Sequence, residues 1–539
     1  MSEGFDVSQF ADNKPFSRSL IRLKALVLGI FMSHFYLAKY RLFIFCAVVL
    51  GFLPGCSTTQ PLTAKVYAAY SLFAPSASGD TILYARVIVD GVGVSCPILT
   101  GSDESKIAMS VRGYHPDAQT ASQNFPVTSC EAIISPGVSY VVSSSTLAIE
   151  AVTLNPSSVI VYGDTGCKSS DCELGKAASP FDQLAQLGVN ADLILHMGDY
   201  NYRGTSGSIR EAPTKIYAYD AGDGGFGGAA CGFVESDYYS QNASDSGKPD
   251  RWQYWHDDFF KPAKNLLPTA PWVFNRGNHE LCSRAGIGWF YFLGPGSSLE
   301  GGIPQLTCPN QGALASPAQG AANHINMIQP YTLSLEPLKL WVVDSANACD
   351  ESADSPLTAQ YTLQFEQLQK DETADSKPIW MVTHRPFWGV SIEKSGRSSL
   401  LSPQTGLQIT PINIMMQRAL QNTSAARLPE VVQLILSGHE HIFQSVSFLS
   451  SKTERPPQIV IGNSGVGLSN SPAGNYNAII DGEAGSINQL DQYGFLTILL
   501  KADNSWSGDV LNETGSSIIS CDSKNVSVDK LVCEINVPQ

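Results

Sequence analysis

The stretch Val159-Ile160-Val161-Tyr162-Gly163-Asp164-Thr165-Gly166 shows the pattern that decides the fold. Its first four apolar residues predict a short buried strand, and a polar turn with glycine ends that strand. The same change from apolar to polar residues follows later segments at 193–195, 272–274, 379–382 and 432–436. Helix candidates lie between these segments, for example at 181–187 and 364–370. Buried strands that alternate with helices predict an α/β domain, in which polar ligand sites form beyond the strand ends.

The five turns after these strands carry a restricted set of polar side chains. In chain order the turns are Gly163-Asp164-Thr165-Gly166, Gly198-Asp199-Tyr200-Asn201-Tyr202, Gly277-Asn278-His279-Glu280, Thr383-His384 and Gly438-His439-Glu440-His441. One aspartate after a strand is most often a helix cap. The chain has only nine histidines, however, and four of them fall in these turns. The repeated pattern therefore predicts one shared site rather than five unrelated structural features.

The composition is that of a globular protein. Hydrophobic residues make up 43% of the chain and charged residues 15%, whereas disorder requires low hydrophobicity and dense charge. The 34 basic and 49 acidic residues give a net charge of −15. This acidic excess argues against a nucleic-acid-binding surface, which needs a basic footprint. None of these patterns predicts the oligomeric state.

The five turns together resemble the calcineurin-like metallophosphoesterase superfamily, whose successive motifs are Asp, Gly-Asp, Gly-Asn-His, His and Gly-His-x-His. More narrowly, the chain is similar to the purple acid phosphatase branch. The usual first and second motifs are Asp-x-His and Gly-Asp-x-x-Asp, but this chain has Gly166 and Tyr202 at their last positions. Purple acid phosphatases also lose this histidine and gain a tyrosine phenolate. The sequences that follow Asp164 and His384 resemble a bacterial and fungal subgroup.

The resemblance implies a four-layer α/β/β/α sandwich and a binuclear metal centre. By position, it assigns Asp164, Tyr202 and His441 to the first metal, Asn278, His384 and His439 to the second, and Asp199 to a bridge between them. A phenolate and other hard oxygen ligands favour Fe(III) at the first position. The amide and two imidazoles suit a divalent Fe, Zn or Mn at the second position.

The activity implied by the resemblance is hydrolysis of a small phosphate monoester, with an acidic pH optimum and metal-bound hydroxide as the nucleophile. His279 is expected to protonate the leaving alkoxide or to stabilise the transition state, and its alternative role is a hydrogen bond to a ligand. Arg385 either contacts phosphate or forms a surface ion pair. Plant and mammalian enzymes have a further substrate histidine, but this chain has none between His384 and His439. Leaving-group protonation and substrate preference therefore stay open.

Two alternative functions also stay open. A phosphodiesterase or nucleotide hydrolase would use the same metal core, with its preference set by the insertions at about 203–250, 294–330 and 464–490. A surface binding protein built on an inactive phosphatase fold is the more distant alternative. The presence of every expected ligand argues against it.

Residues 1–56 are predicted to be a leader. The apolar segment 42–53 follows Lys39 and Arg41 and is too short to span a bilayer comfortably. Its ending, Leu53-Pro54-Gly55-Cys56, resembles a bacterial lipobox and predicts lipidation of Cys56. The expected location is the periplasm or cell envelope, with membrane contact only through this anchor. Plain cleavage and an uncleaved anchor are alternatives, and because Met32 lies upstream, residues 1–31 are either a long leader or an over-extended start.

Residues 57–152 are predicted to be a separate small β-sandwich domain, because β-branched runs alternate there with turns. Residues 153–539 then form the catalytic domain. Without Cys46 and Cys56, ten cysteines remain, and an even set in an exported chain predicts disulfides. Proximity suggests Cys96–Cys130, Cys167–Cys172 and Cys521–Cys533, and leaves Cys231, Cys282, Cys308 and Cys349 unassigned.

Overall fold

The computed structural model describes residues 64–116, 123–167, 179–203, 250–281, 285–308, 327–350, 353, 356–371, 377–394, 407–448, 455–469, 471–523 and 531–536. The predicted leader and Cys56 lie outside the described residues. The described residues between Ala64 and Gln539 belong to one compact unit. Within the described part, no helix is both long and apolar enough to cross a membrane.

Strands are the main secondary structure of the described residues. They are β1 (Val66–Pro75), β2 (Thr81–Asp90), β3 (Ile98–Gly101), β4 (Lys106–Ala108), β5 (Ser110–Val111), β6 (Val127–Ile133), β7 (Tyr140–Val142), β8 (Ala148–Ile149), β9 (Ser158–Tyr162), β10 (Leu193–His196), β11 (Pro271–Phe274), β12 (Tyr331–Ser334), β13 (Lys339–Val343), β14 (Ile379–Thr383), β15 (Val390–Lys394), β16 (Leu407–Pro411), β17 (Val432–Ser437), β18 (Phe443–Phe448), β19 (Gln458–Ile461), β20 (Gly474–Ile480), β21 (Glu483–Leu490), β22 (Phe495–Leu500), β23 (Trp506–Leu511), β24 (Ser517–Ser523) and β25 (Leu531–Ile535).

The helices lie between the strands or follow them. They are α1 (Pro180–Leu187), α2 (Trp252–Trp255), α3 (Gly286–Phe292), α4 (Pro356–Asp371) and α5 (Ile414–Gln421). A π-helical turn, His256–Phe260, continues α2, and a 3₁₀ turn covers Asn278–Glu280. Helix α1 begins where the Ser179 side chain accepts a hydrogen bond from the Phe181 backbone N–H, with proline at the first helical position.

Two large sheets form the centre of the unit. The first has the order β25-β24-β23-β22-β9-β10-β11-β1-β2-β6-β5, and the second has the order β12-β13-β14-β17-β19-β18-β21-β20. In the first sheet, β10 pairs in parallel with both β9 and β11. In the second, β13, β14, β17 and β19 are parallel. These strands are short and mostly buried, as expected for parallel strands covered on both faces.

Three apolar clusters show how the sheets and helices are layered. The cluster between the sheets contains Val161 of β9 and Val382 of β14. Ile160, next in sequence to Val161, points to the opposite face and packs with residues of α1, the π-helical turn and α3. On the far side of the second sheet, Met381 packs with residues of α4 and α5. The order is therefore helices, sheet, sheet, helices, which confirms the predicted α/β/β/α sandwich.

The predicted separate N-terminal β-sandwich domain is not confirmed. The region is rich in strands, but β1 pairs in parallel with β11, so that Ser71 lies opposite Pro271 and Leu72 opposite Trp272. Strands β2, β6 and β5 extend the first large sheet from there, while β3, β4, β7 and β8 form a small sheet of their own. Because this pairing joins backbone groups, which every strand offers, the alternation of side chains did not reveal it.

The disulfides agree with the cysteine analysis where the structure describes them. Bonds join Cys96 to Cys130 and Cys521 to Cys533, as predicted. Cys167, Cys308 and Cys349 are also disulfide-bonded. Cys172, Cys231 and Cys282 lie outside the described residues, so the proposed Cys167–Cys172 pair stays a prediction.

Candidate metal centre

The turns that follow β9, β10 and β17 bend sharply at Asp164, Asp199 and His439. Each of these residues has a positive φ, at 57°, 60° and 74° respectively. This region is sparsely populated by residues other than glycine and asparagine and costs on the order of 1–3 kcal/mol per residue. The backbone N–H of His439 donates to Asp164 Oδ2 at 2.8 Å, which joins the strand ends of the two sheets. Three strained turns therefore converge at one place.

A first group of polar atoms surrounds the hydroxyl of Tyr202. This hydroxyl lies 2.9 Å from Asp164 Oδ1, 3.1 Å from Asp199 Oδ2 and 3.1 Å from His441 Nε2. His441 Nδ1 lies 3.0 Å from the carbonyl oxygen of Gly467, so the ring proton belongs on Nδ1 and the Nε2 lone pair faces the group. The hydroxyl thus has one proton to share among three acceptors.

A second group surrounds the side-chain oxygen of Asn278. Asn278 Oδ1 lies 2.8 Å from His384 Nε2 and 2.9 Å from His439 Nδ1. Asp199 Oδ1 lies 3.5 Å from the same His384 nitrogen. His384 Nδ1 donates to the carbonyl oxygen of Met197 at 2.8 Å, which leaves the Nε2 lone pair directed at Asn278. Acceptor atoms again face one another.

The two groups fit a pair of cations with Asp199 between them. The ligand atoms of Asp164, Asp199 and His441 lie within 4.8 Å of one another, as do those of Asp199, His384 and His439. Two ligand atoms about 2.1 Å from one ion and at right angles to each other are about 3.0 Å apart. The separations of 2.8–3.5 Å around Tyr202 and Asn278 agree with this spacing.

Burial shapes the pKa values of the cluster. Burial and the neighbouring Asp199 carboxylate raise the pKa of Asp164. Burial also opposes ionisation of Asp199, but the His384 and His279 rings outweigh it and lower its pKa. Burial, and to a smaller extent the Asp164 and Asp199 charges, raise the pKa of Tyr202. Burial lowers the pKa of His384 to about 3. A cation among these groups would offset this cost, since it favours both carboxylates and a phenolate.

Gly166 explains why the tyrosine can reach the cluster. A Cβ atom at position 166 would lie 2.7 Å from Tyr202 Cδ2 and 2.7 Å from the Tyr200 carbonyl oxygen. Such distances are too short for any side chain. The glycine of the first turn and the tyrosine of the second are therefore sterically linked.

Glu280 connects the turn after β10 with the turn after β11 through hydrogen bonds. Its carboxylate accepts hydrogen bonds from the backbone N–H groups of Asp199 at 2.8 Å, Tyr200 at 2.8 Å, Asn201 at 3.3 Å and Gly277 at 3.0 Å. Burial and the Asp199 charge raise its pKa. Glu280 ends the Gly277-Asn278-His279-Glu280 turn, and its role was not predictable from the sequence.

His279 and Arg385 lie beside the ligand groups. The His279 backbone N–H donates to Asp199 Oδ1 at 2.9 Å, and its ring centroid is 4.1 Å from that of Tyr202. Arg385 is 3% exposed and donates to the Asp350 carboxylate. The ion pair of Arg385 is thus buried rather than at the surface.

Asp350 is a site residue that sequence analysis missed. Its Oδ2 lies 3.0 Å from His439 Nε2 and also accepts the hydrogen bond from Arg385. Burial opposes its ionisation, but Arg385 and His439 outweigh burial and lower its pKa. Asp350 lies in the segment after β13, which is the neighbour of β14. This position after a central strand was the one feature of the sequence that could have indicated a site residue. No recognised motif contains it.

The profile of the calcineurin-like phosphoesterase family matches residues 157–443, more than half of the chain, and the chain belongs to this family. The protein is therefore a metal-dependent phosphoesterase, and the superfamily resemblance of the sequence is confirmed. The family fold implies a dinuclear metal centre, which the two groups around Asp199 fit.

The chain is also similar to solved structures. One is the purple acid phosphatase PPD1 from seeds of yellow lupin (Lupinus luteus), at 15% identity and a TM-score of 0.44, over 84% of this chain and 73% of that one. Another is PhoD, at 13% identity and a TM-score of 0.44, over 86% of this chain and 91% of that one. A comparison with curated proteins gave no sequence match.

Proposed function

We propose that this protein hydrolyses phosphate monoesters with a binuclear metal centre of the purple acid phosphatase type. The observation that carries the proposal is the Tyr202 hydroxyl, which lies 2.9 Å from Asp164 Oδ1 and 3.1 Å from His441 Nε2. A phenolate at this place requires a nearby cation, because burial and the Asp164 and Asp199 charges raise the pKa of Tyr202 and disfavour its ionised form.

Asp164, Tyr202 and His441 would hold the first metal, Asn278, His384 and His439 would hold the second, and Asp199, which belongs to both groups, would contribute to each. The phenolate and carboxylate oxygens favour Fe(III) at the first position, and the amide and imidazoles favour a divalent Fe, Zn or Mn at the second. When bound, the two ions supply the Lewis acidity that activates water and neutralises phosphate charge.

The chain's own residues then orient the substrate and move a proton. His279 is 4% exposed and is held beside the cluster by its backbone bond to Asp199, a place from which its ring can protonate the leaving oxygen. Arg385 brings a buried positive charge to the His439 side, where it attracts the phosphate group. A small phosphorylated molecule is the proposed substrate.

The visible spectrum of the iron-containing protein tests the ligand set. Phenolate ligation to Fe(III) predicts a charge-transfer band that Tyr202→Phe removes. Tyr162→Phe is the matched control, because the Tyr162 hydroxyl donates to the Leu184 carbonyl oxygen at 3.0 Å and its ring packs with α1 on the helix side of the first sheet, away from the ligand groups. Iron-containing protein without the band would contradict the proposed role of Tyr202.

Parallel assays test the substrate class. We expect a chromogenic phosphomonoester to be hydrolysed faster than the matching phosphodiester, with the highest rate on the acid side of neutrality. Preference for the diester, or for a nucleotide, would replace the monoesterase proposal with a phosphodiesterase or nucleotide hydrolase. Stable binding of phosphate compounds without turnover would favour the inactive binding protein.

The disulfides among the described residues support export to an oxidising compartment. We propose lipidation at Cys56 as the membrane anchor. Mass spectrometry of the N-terminal peptide and detergent partitioning of Cys56→Ala test this, with release of the variant into the aqueous phase as the expected result. An unmodified Cys56 in mature protein would contradict it.

A further inference from the structure

We propose that Asp350 is a positioning residue that sets the tautomer of His439 and separates that imidazole from Arg385. The proposal rests on the proposed function, since it assumes that His439 binds the second metal. Asp350 Oδ2 lies 3.0 Å from His439 Nε2 and accepts the hydrogen bond from Arg385 Nη1. One carboxylate oxygen therefore serves two neighbouring donors.

The tautomer follows from what faces each nitrogen of the His439 ring. Nδ1 lies 2.9 Å from Asn278 Oδ1, on the side where the lone pair of His384 Nε2 also points. A neutral imidazole has one N–H, and the carboxylate at Nε2 draws that proton to Nε2. The Nδ1 lone pair is then directed at the proposed second metal.

His439 differs in this respect from the other two histidines of the ligand groups. His384 and His441 direct Nδ1 at backbone carbonyl oxygens, those of Met197 and Gly467, and present Nε2 to the site. His439 presents the opposite nitrogen, and a charged side chain rather than the backbone contacts its outer nitrogen. A side chain can be exchanged by mutation, so this tautomer can be tested.

Because Arg385 lies close to His439, the Asp350 carboxylate is needed to keep the ring proton on Nε2. Arg385 Nη1 lies 2.9 Å from His439 Nε2. Two N–H groups at that distance repel each other unless they share an acceptor, which Asp350 provides. Without the carboxylate, Arg385 would donate to Nε2 and the ring proton would move to Nδ1, where it competes with the metal.

The pair is largely buried, which strengthens the effect. The Arg385 side chain is 4% exposed and that of Asp350 is 15% exposed. Water therefore cannot readily replace the missing acceptor. Removal of such an outer partner of a metal-binding histidine typically lowers metal affinity about tenfold to a hundredfold.

Metal retention in the full-length protein tests the proposal. The protein is loaded with iron and zinc and challenged with increasing chelator, and both metals are counted. We expect Asp350→Asn to lose the divalent ion at a chelator concentration about tenfold to a hundredfold lower than wild type. It should keep its iron, because the group around Tyr202 is untouched.

A double variant separates positioning from a merely structural role. Because Arg385 is the competing donor, Asp350→Asn with Arg385→Gln should retain the divalent ion better than Asp350→Asn alone. Arg385→Gln by itself should retain it as wild type does. Additive losses in the double variant would contradict the proposal, and so would loss of the divalent ion from Arg385→Gln alone, which can be measured even where Asp350→Asn folds poorly.

Asp481→Asn is the matched control. Asp481 also accepts hydrogen bonds from an arginine, Arg455 at 2.8 and 3.0 Å, but it lies in the β20–β21 hairpin. We expect this variant to retain both metals. Wild type that binds fewer than two ions would overturn the proposed function and this proposal together. Wild type with two ions and Asp350→Asn that retains both equally well would overturn only the role of Asp350.

Discussion

Two polar clusters in this protein are similarly buried but differ in how their hydrogen-bond donors match their acceptors. In the first, which we call the arginine cluster, Arg86, Arg112 and Glu131 are almost fully buried. Arg86 donates to the carbonyl oxygens of Phe292 at 2.8 Å and Gly294 at 2.7 Å, and Arg112 donates to Glu131. Donors therefore face acceptors in this cluster. Its hydrogen bonds connect the region of β2, β5 and β6 to the end of α3.

In the metal-ligand cluster, by contrast, acceptors face acceptors. The single proton of Tyr202 lies among Asp164, Asp199 and His441, and the lone pairs of Asn278 and His384 point at each other. Buried charge alone therefore does not indicate a functional site. An excess of lone pairs over protons does, because bound cations or additional protons must offset it.

The largest expected effect comes from removing the shared acceptor. Asp199→Asn weakens both proposed metal sites at once, so we expect kcat to fall at least about a thousandfold. Steady-state kinetics and metal analysis measure this loss. Asp192→Asn is the control, since that carboxylate accepts from Ser157 and Ser158 away from the cluster. A metal-loaded Asp199→Asn enzyme with normal kcat would remove the distinction between the clusters.

The arginine cluster should respond in stability rather than in catalysis. Glu131→Gln removes the charge that Arg112 and Arg86 face, and breaking a buried ion pair typically costs about 3–5 kcal/mol. Denaturant unfolding measures the free energy of unfolding, and kcat of the folded enzyme should be unchanged. Equal losses of kcat in Glu131→Gln and Asp199→Asn at full metal content would show that the two clusters are not distinct.

A smaller effect is expected from Gly166→Ala. The new methyl group would displace the Tyr202 ring, and misplacing a catalytic-site group by about 1 Å can lower the rate about a hundredfold. The visible band should weaken in parallel with kcat. Gly467→Ala is the control, because no atom lies within 4 Å of a Cβ atom at that position. An unchanged band in Gly166→Ala would argue against the steric link between positions 166 and 202.

The smallest effect concerns a third buried acid, Asp250. Burial raises its pKa to about 7, although Gly288 N–H and Trp255 Nε1 donate to it. A raised pKa means that its contribution to stability is complete below about pH 4 and is lost as the pH rises through 7. Asp250→Asn should flatten the decline in Tm over this range, by roughly 2–4 °C.

The control for this pH dependence has the opposite sign. Burial opposes ionisation of Asp192, but bonds from Ser157 and Ser158 outweigh it and lower its pKa. Its contribution is present above about pH 4 and is lost as the pH falls further. Asp192→Asn should therefore change Tm at neutral pH and not in strong acid. A Tm profile of Asp250→Asn that equals wild type would contradict the Asp250 assignment.

Much of the site could be predicted because its residues follow strand ends. The parallel neighbours β9 and β10 bring Asp164 and Asp199 to adjacent strand ends of the first sheet, and β14 and β17 do the same for His384 and His439 in the second. The family match over residues 157–443 agrees with this part of the chain.

The missed features depend on contacts that leave no local pattern. The pairing of β1 with β11 uses backbone groups, and the contact between Asp350 and His439 joins residues 89 positions apart. The carboxylate of Asp350 also follows a strand, but nothing in the neighbouring sequence indicates that it faces an imidazole. Such contacts can be recognised only from the three-dimensional structure.

Anomalous X-ray diffraction from crystals of the iron- and zinc-loaded protein tests the central claim most directly. Our account predicts two ions per chain with Asp199 between them, iron bound to the Tyr202 oxygen, and the second ion bound to His384 Nε2 and His439 Nδ1. A single ion per chain, or two ions with the Tyr202 hydroxyl bound to neither, would contradict it.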